Sequence, residues 1–121
     1  MIQKSMFVLA VRDLEASITF YRDILGFEVK EIGDDGWRIF EKDACQIMAG
    51  HCPDSIPAHD LGDHSYFAYL IVNNIDEYFA EVKGKGVELI KDIRNEPWNM
   101  REFGLRTNDG HRIMIGQELG K

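Results

Sequence analysis

Val11-Arg-Asp-Leu-Glu-Ala-Ser-Ile-Thr-Phe-Tyr-Arg-Asp-Ile-Leu-Gly-Phe27 is the stretch on which the reading of this chain turns. Asp13 stands where a helix N-cap belongs, because its short side-chain acceptor can satisfy a backbone N–H left free in the first turn. Leu14, Ile18, Tyr21 and Leu25 then recur at helical spacing, and Gly26 falls where a helix-ending glycine is favoured. Working outward, Met6 to Val11 alternates as a strand, and Phe27 to Ile32 forms a second up to the turn at Gly33-Asp34-Asp35-Gly36. Trp37 to Glu41 and Ala44 to Gly50 follow as two more. The order is strand, helix, then three strands.

The second half repeats that order. Tyr66 to Val72 reads as a strand, and Asn74 with Glu77 three residues later makes a box-like helix start. Ile75, Phe79 and Val82 form an apolar stripe closed by Gly84 and Gly86. Val87 to Ile93, Arg101 to Thr107 and His111 to Gln117 complete the strands, the last two joined by a turn at Asn108-Asp-Gly110. Val11 aligns with Val72 and Leu14 with Ile75, while Gly26-Phe27 meets Gly86-Val87 after a slip of one residue. The expected fold is therefore α+β, two tandem βαβββ modules over residues 4–50 and 65–118. A linker over 51–64, rich in Pro, Asp, Gly and His, completes a single domain spanning 1–121. One helix per module covers one sheet face. The other faces must meet each other or a second chain, and they curve into a cleft.

Composition sets outer bounds. A chain of 121 residues with 45% apolar and 29% charged residues suits a globular domain with its own core. The formal net charge of −7 repels phosphate backbones, so no nucleic-acid partner is expected. Acidity suits a cationic small ligand and equally suits mere solubility. Tyr66 to Val72, the longest strongly apolar run, is far shorter than the roughly 20 residues of a membrane helix, so no membrane partner is expected either. Met1-Ile-Gln-Lys4 runs straight into strand-like sequence without a basic-then-apolar signal. Cys45 and Cys52 lack metal or redox spacing. Both features point to the cytoplasm and to reduced thiols.

Val11 to Ser17 followed by Phe20 to Phe27 resembles the first helix of the vicinal-oxygen-chelate superfamily, which contains glyoxalase I, extradiol dioxygenases, fosfomycin-modifying enzymes and bleomycin-resistance proteins. Asp34 to Asp43 and Pro97-Trp-Asn-Met-Arg-Glu-Phe103 resemble the bleomycin-resistance branch most closely. The resemblance implies four metal-ligand positions on the first and last strands of each module. They fall here at Met6, Met48, Phe67 and Met114. Zn²⁺, Ni²⁺, Fe²⁺ and Mn²⁺ take nitrogen and oxygen donors, which three thioethers and a phenyl ring do not supply. Shifting the alignment by one residue restores no ligand set. No cofactor and no metal are expected, and with the metal goes the Lewis acid of the catalytic relatives.

Strand alternation places Met6, Val8 and Ala10 toward the cleft, with Phe67, Tyr69 and Ile71 from the second module. Gln46, Met48, Arg112 and Met114 complete the set. Adaptable methionines and stacking aromatics suit a flat organic ligand, although the same methionines could fill a collapsed cleft as core. Carried over from the drug-binding branch, the resemblance implies that Trp98, Tyr69 and Trp37 stack on a ligand while Asp34 and Asp35 face its charge. A core tryptophan and a solvated turn are the alternatives. Arg101 either positions Trp98 or pairs with Glu102. The four histidines, including those of His59-Asp-Leu-Gly-Asp-His64, fall in loops or at strand ends and read as surface residues.

The expected function is thus metal-free binding of an amphipathic small molecule, cationic ones included, with bleomycin as the named precedent and a homodimer as the expected assembly. The alternative is a metal-dependent lyase or dioxygenase with non-standard ligands.

Overall fold

A computed structural model describes residues 1–62 and 64–120; Asp63, within the His59–His64 stretch weighed above, lies outside them. Strands β1 (Phe7–Val11), β2 (Glu28–Glu31), β3 (Trp37–Lys42) and β4 (Cys45–His51) form one sheet. Strands β5 (Tyr66–Ile71), β6 (Glu88–Glu96), β7 (Met100–Arg106) and β8 (Arg112–Glu118) form the other. The strand orders are β1-β4-β3-β2 and β5-β8-β7-β6. In each sheet the first strand runs parallel to the last and the other pairs are antiparallel. The repeat seen in the sequence is thus a repeat of topology, two βαβββ modules in an α+β fold.

Helix α1 (Leu14–Thr19) is capped as its sequence implies, the Ala16 N–H donating to Asp13 Oδ1 at 3.1 Å. It does not run on as a regular helix. Phe20–Ile24 widen into a π-helical turn, in which the Leu25 N–H donates to the Phe20 carbonyl at 3.2 Å. Phe20 and Tyr21 are both buried there, and Tyr21 stacks on Phe40 with ring centroids 4.5 Å apart. Helix α2 (Ile75–Gly84) corrects the expected capping box, because the Asn74 side chain makes no cap bond. Gln117, reaching over from β8, accepts the Ile75 N–H at 2.8 Å instead. A tertiary partner has displaced the local one.

One continuous core spans both modules, including Leu9, Phe40 and Ile47 from the first and Ile75, Phe103 and Ile115 from the second. Polar bonds stitch the seam. The Tyr78 hydroxyl donates to the Leu25 carbonyl at 2.7 Å, and the Asn108 amide donates to the Ser17 hydroxyl at 3.1 Å. The linker carries a 3-10 turn (Ala58–Leu61) that the sequence reading did not anticipate. His59 lies directly over Gly110, whose φ of +95° and closeness to the His59 backbone leave room for glycine alone. Among the described residues no helix is long and apolar enough to cross a membrane.

Candidate functional site

Leu9, Val11, Phe40, Ile47 and Ala49 are buried toward the helix side, whereas Val8, two thirds exposed at 63%, points the other way. Alternation therefore puts Val8, Met48, Ile39 and Trp37 on the open face of the first sheet, where Val8 and Ile39 both stand opposite Met48. In the second sheet Phe103, Leu105, Ile113 and Ile115 are buried, so Glu102, Gly104, Arg106, Arg112, Met114 and Gly116 share the open face. Met48 and Met114 occupy matching positions of β4 and β8.

Glycines allow large side chains to lie flat on both faces. A Cβ at Gly50 would come within 2.8 Å of the Trp37 ring. At Gly104 it would come within 2.7 Å of Met114 Sδ, and at Gly116 it would collide with the Tyr69 hydroxyl. Trp37 and Tyr69 thus lie over equivalent glycines of the two modules. Ring and thioether together form a floor on each open face, flanked by ion-paired side chains.

Glu102, outside the expected ligand set, organises the second floor. Its side chain is 5% exposed and accepts three hydrogen bonds. Tyr69 Oη and Trp98 Nε1 both donate to Oε1, at 2.8 and 2.9 Å, and Lys91 Nζ donates to Oε2 at 2.7 Å. Burial pushes the Glu102 carboxyl up, but the bonds from Lys91, Trp98 and Tyr69 outweigh it and hold the pKa below the usual range. Burial, reinforced by the Glu102 charge, pushes the Tyr69 phenol up to about 12. The Lys91 ammonium also lies 5.2 Å from the centroid of the Trp98 ring and 3.2 Å from Glu96. Strand parity carries the signal for this group, since alternation along β7 puts Glu102 on the face that bears Tyr69.

The remaining nominated residues divide. Met6 is half-buried just ahead of β1. Asp34 uses its carboxylate to accept the Gly36 N–H at 2.7 Å and so shapes the β2–β3 turn, with Asp35 exposed beside it. Phe67 corrects the simple alternation. The β5–β8 register shifts between Tyr66 and Ala68, and the Phe67 ring packs edge-on against Phe7 and His111 and against the core. Arg101 belongs to neither expected arrangement. It stands on the helix side of β7, where Nη2 meets Asp76 at 2.8 Å and Nη1 meets Asn95 at 3.0 Å, turned away from Glu102 and Trp98. His111 is no surface residue either, its side chain being 13% exposed beside Asp109. A cavity of about 720 Å³ lies along the module seam among Phe7, Phe27, Lys42, Cys45, Leu70 and Tyr78; of the residues expected to face the cleft it touches Gln46, Tyr69 and Ile71.

The donor set does not fit a hard divalent ion. Met48 and Met114 offer sulfur, Phe67 turns to the core, and Glu41 and Glu102 on the open faces are engaged. Glu41 is held by Lys30 and Gln46, as Glu102 is by its three donors. Among the described residues, no three His, Cys, Asp or Glu side chains stand together as a metal site.

The model of a family described as the Glyoxalase/Bleomycin resistance protein/Dioxygenase superfamily matches residues 5–115. Solved structures with the same fold include a bleomycin resistance determinant encoded on the transposon Tn5, with a TM-score of 0.79 and 19% identity over 97% of this chain and 98% of that one. TioX from Micromonospora sp. ML1 matches with a TM-score of 0.75 and 17% identity over 98% of both chains. A glyoxalase-related enzyme from Clostridium phytofermentans matches with a TM-score of 0.78 and 17% identity, over 98% of this chain and 97% of that one. No curated protein sequence matches.

Proposed function

We propose that this chain, which belongs to the Glyoxalase/Bleomycin resistance protein/Dioxygenase superfamily, binds and sequesters an amphipathic organic compound rather than transforming one. The observation that carries the reading is the pair of open sheet faces. They present the thioethers of Met48 and Met114 where the family resemblance implies oxygen and nitrogen donors, with the rings of Trp37, Tyr69 and Trp98 on the same faces. Trp37 and Met48 form the floor on one sheet, and Tyr69, Met114 and Trp98 form it on the other, with Met6 beside the first. Asp34 and Asp35 stand at the rim, and Phe67 supports the floor from behind. Rings bind by stacking and methionines adapt to irregular outlines, so such a surface holds a guest without reacting with it. Two chains related by a two-fold axis would close these faces over each other and create equivalent clefts.

Bleomycin-type glycopeptides are the first compounds to test, since a bleomycin resistance determinant shares the fold. Saturable heat in calorimetry would support the reading for that drug. At about 100 times Kd the linkage is worth about 2.7 kcal/mol, a rise in Tm of roughly 10 °C for a chain of this length. No heat and no rise at high micromolar drug removes that drug from the reading. Stoichiometric nickel, zinc, iron or manganese retained through purification overturns binding without catalysis.

A further inference from the structure

The open face of the second sheet carries a charge pattern that the whole-chain balance conceals. Glu102 is spent on Lys91, Trp98 and Tyr69, and Glu96 is spent on Lys91 and Arg94. Arg106 and Arg112 stand directly opposite each other on the same face. Arg106 is paired with Glu88 at 3.0 Å. Arg112 donates to the Gly62 carbonyl at 3.3 Å and lies over the Tyr66 ring, 5.3 Å from its centroid. Its Nε is buried with no acceptor among the described residues. Trp98 already has a cation against one face of its indole, which draws electron density from the ring and weakens the other face as a cation acceptor.

We propose that Lys91 and Glu102 make this face select planar ligands that are neutral or anionic and turn organic cations away. Glu102 fixes the two rings through a single oxygen, and Lys91 closes one side of Trp98 while cancelling the carboxylate that a cation would seek. A guest stacks on the outward side of Trp98 and against Tyr69, between Arg112 at one end of β8, which pairs with no carboxylate among the described residues, and the exposed Glu118 at the other. The proposal rests on the binding reading above and narrows it, because an overall charge of −7 would by itself suggest the opposite preference.

Three probes sharing one ring system test this: 2-naphthoate, 2-naphthamide and 2-naphthylmethylammonium. Their affinities are measured by calorimetry, and contact is followed at the two tryptophan indole N–H resonances, with Trp98 assigned from Trp98→Phe. The unaltered protein is expected to bind naphthoate and naphthamide at least about tenfold more tightly than the ammonium. Lys91→Met is expected to reverse that ranking, since Glu102 and the inner face of Trp98 then become available to a cation. Glu102→Gln is expected to weaken the planar probes together and to shift the Trp98 indole proton upfield as its carboxylate acceptor is lost. A protein that binds the ammonium as tightly as naphthoate overturns the proposal while leaving the binding reading intact. So does a ranking that Lys91→Met leaves unchanged. Failure of all three probes at millimolar concentration overturns both. The ranking on the unaltered protein decides even if a variant does not fold.

Discussion

Single residues carry the site through one recurring device, a glycine that lets a large side chain lie against the sheet. At Gly116 an added methyl group would strike the Tyr69 hydroxyl and crowd Met100 Cε, 3.0 Å away. Gly116→Ala is therefore expected to cost about 1–3 kcal/mol, as overpacking does, and to lift Tyr69 from Glu102. The Tyr69 phenol, held at about 12 partly by that carboxylate, should then titrate nearer its ordinary value of 10.0. Phenolate absorbance against pH reads the change, and an unaltered titration would show that Tyr69 does not depend on the flat seat. His111 gives a second test. Burial lowers its pKa, opposed by the Asp109 charge and assisted by His59, so the unfolded chain takes up the proton first. The stability that neutral His111 confers is complete above its ordinary value of 6.5 and drains away as pH falls below it. Tm should fall between about pH 7 and about pH 5 with a slope that His111→Gln makes shallower. Parallel slopes in the two proteins would show that other groups set the acid limit.

Elements were legible in the sequence wherever a local signal is also the one the fold uses. The Asp13 cap and the apolar stripe from Leu14 to Leu25 are of that kind, and so is the strand-helix-strand order repeated around Ile75. What escaped was decided by contacts distant in sequence. The N-terminus of α2 takes its acceptor from Gln117 rather than from Asn74. The register shift in β5 turns Phe67 toward Phe7, and Arg101 goes to Asp76 because β7 offers Glu102, not its neighbour, to the open face. The α2 cap makes the difference measurable. Asn74→Ala should change stability by less than about 0.5 kcal/mol, while Gln117→Ala should cost about 1 kcal/mol, the usual worth of a lost cap. Denaturant midpoints compare the two, and equal losses would return the capping role to Asn74.

At the scale of the molecule, each helix covers one side of its own sheet and leaves the other side bare. Val8 and Ile71, 63% and 61% exposed, sit on those bare faces with Trp98 and Tyr69, although the core behind them is closed. Apolar area laid out in this way lowers its free energy by meeting a matching surface, and the same face of a second copy is the partner to test. Light scattering is expected to give twice the chain mass. Val8→Glu combined with Ile71→Glu should reduce it to the chain mass while circular dichroism stays unchanged, because neither side chain belongs to the buried core. The same double variant separates two ways of building a cleft. If one chain closes a site by itself, the monomer retains ligand binding. If the floor of one chain needs the facing sheet of another, binding falls with the dimer, because a guest stacked on one exposed floor buries half the surface it would bury between two. A double variant that keeps twice the chain mass would show that the bare faces do not hold the assembly together.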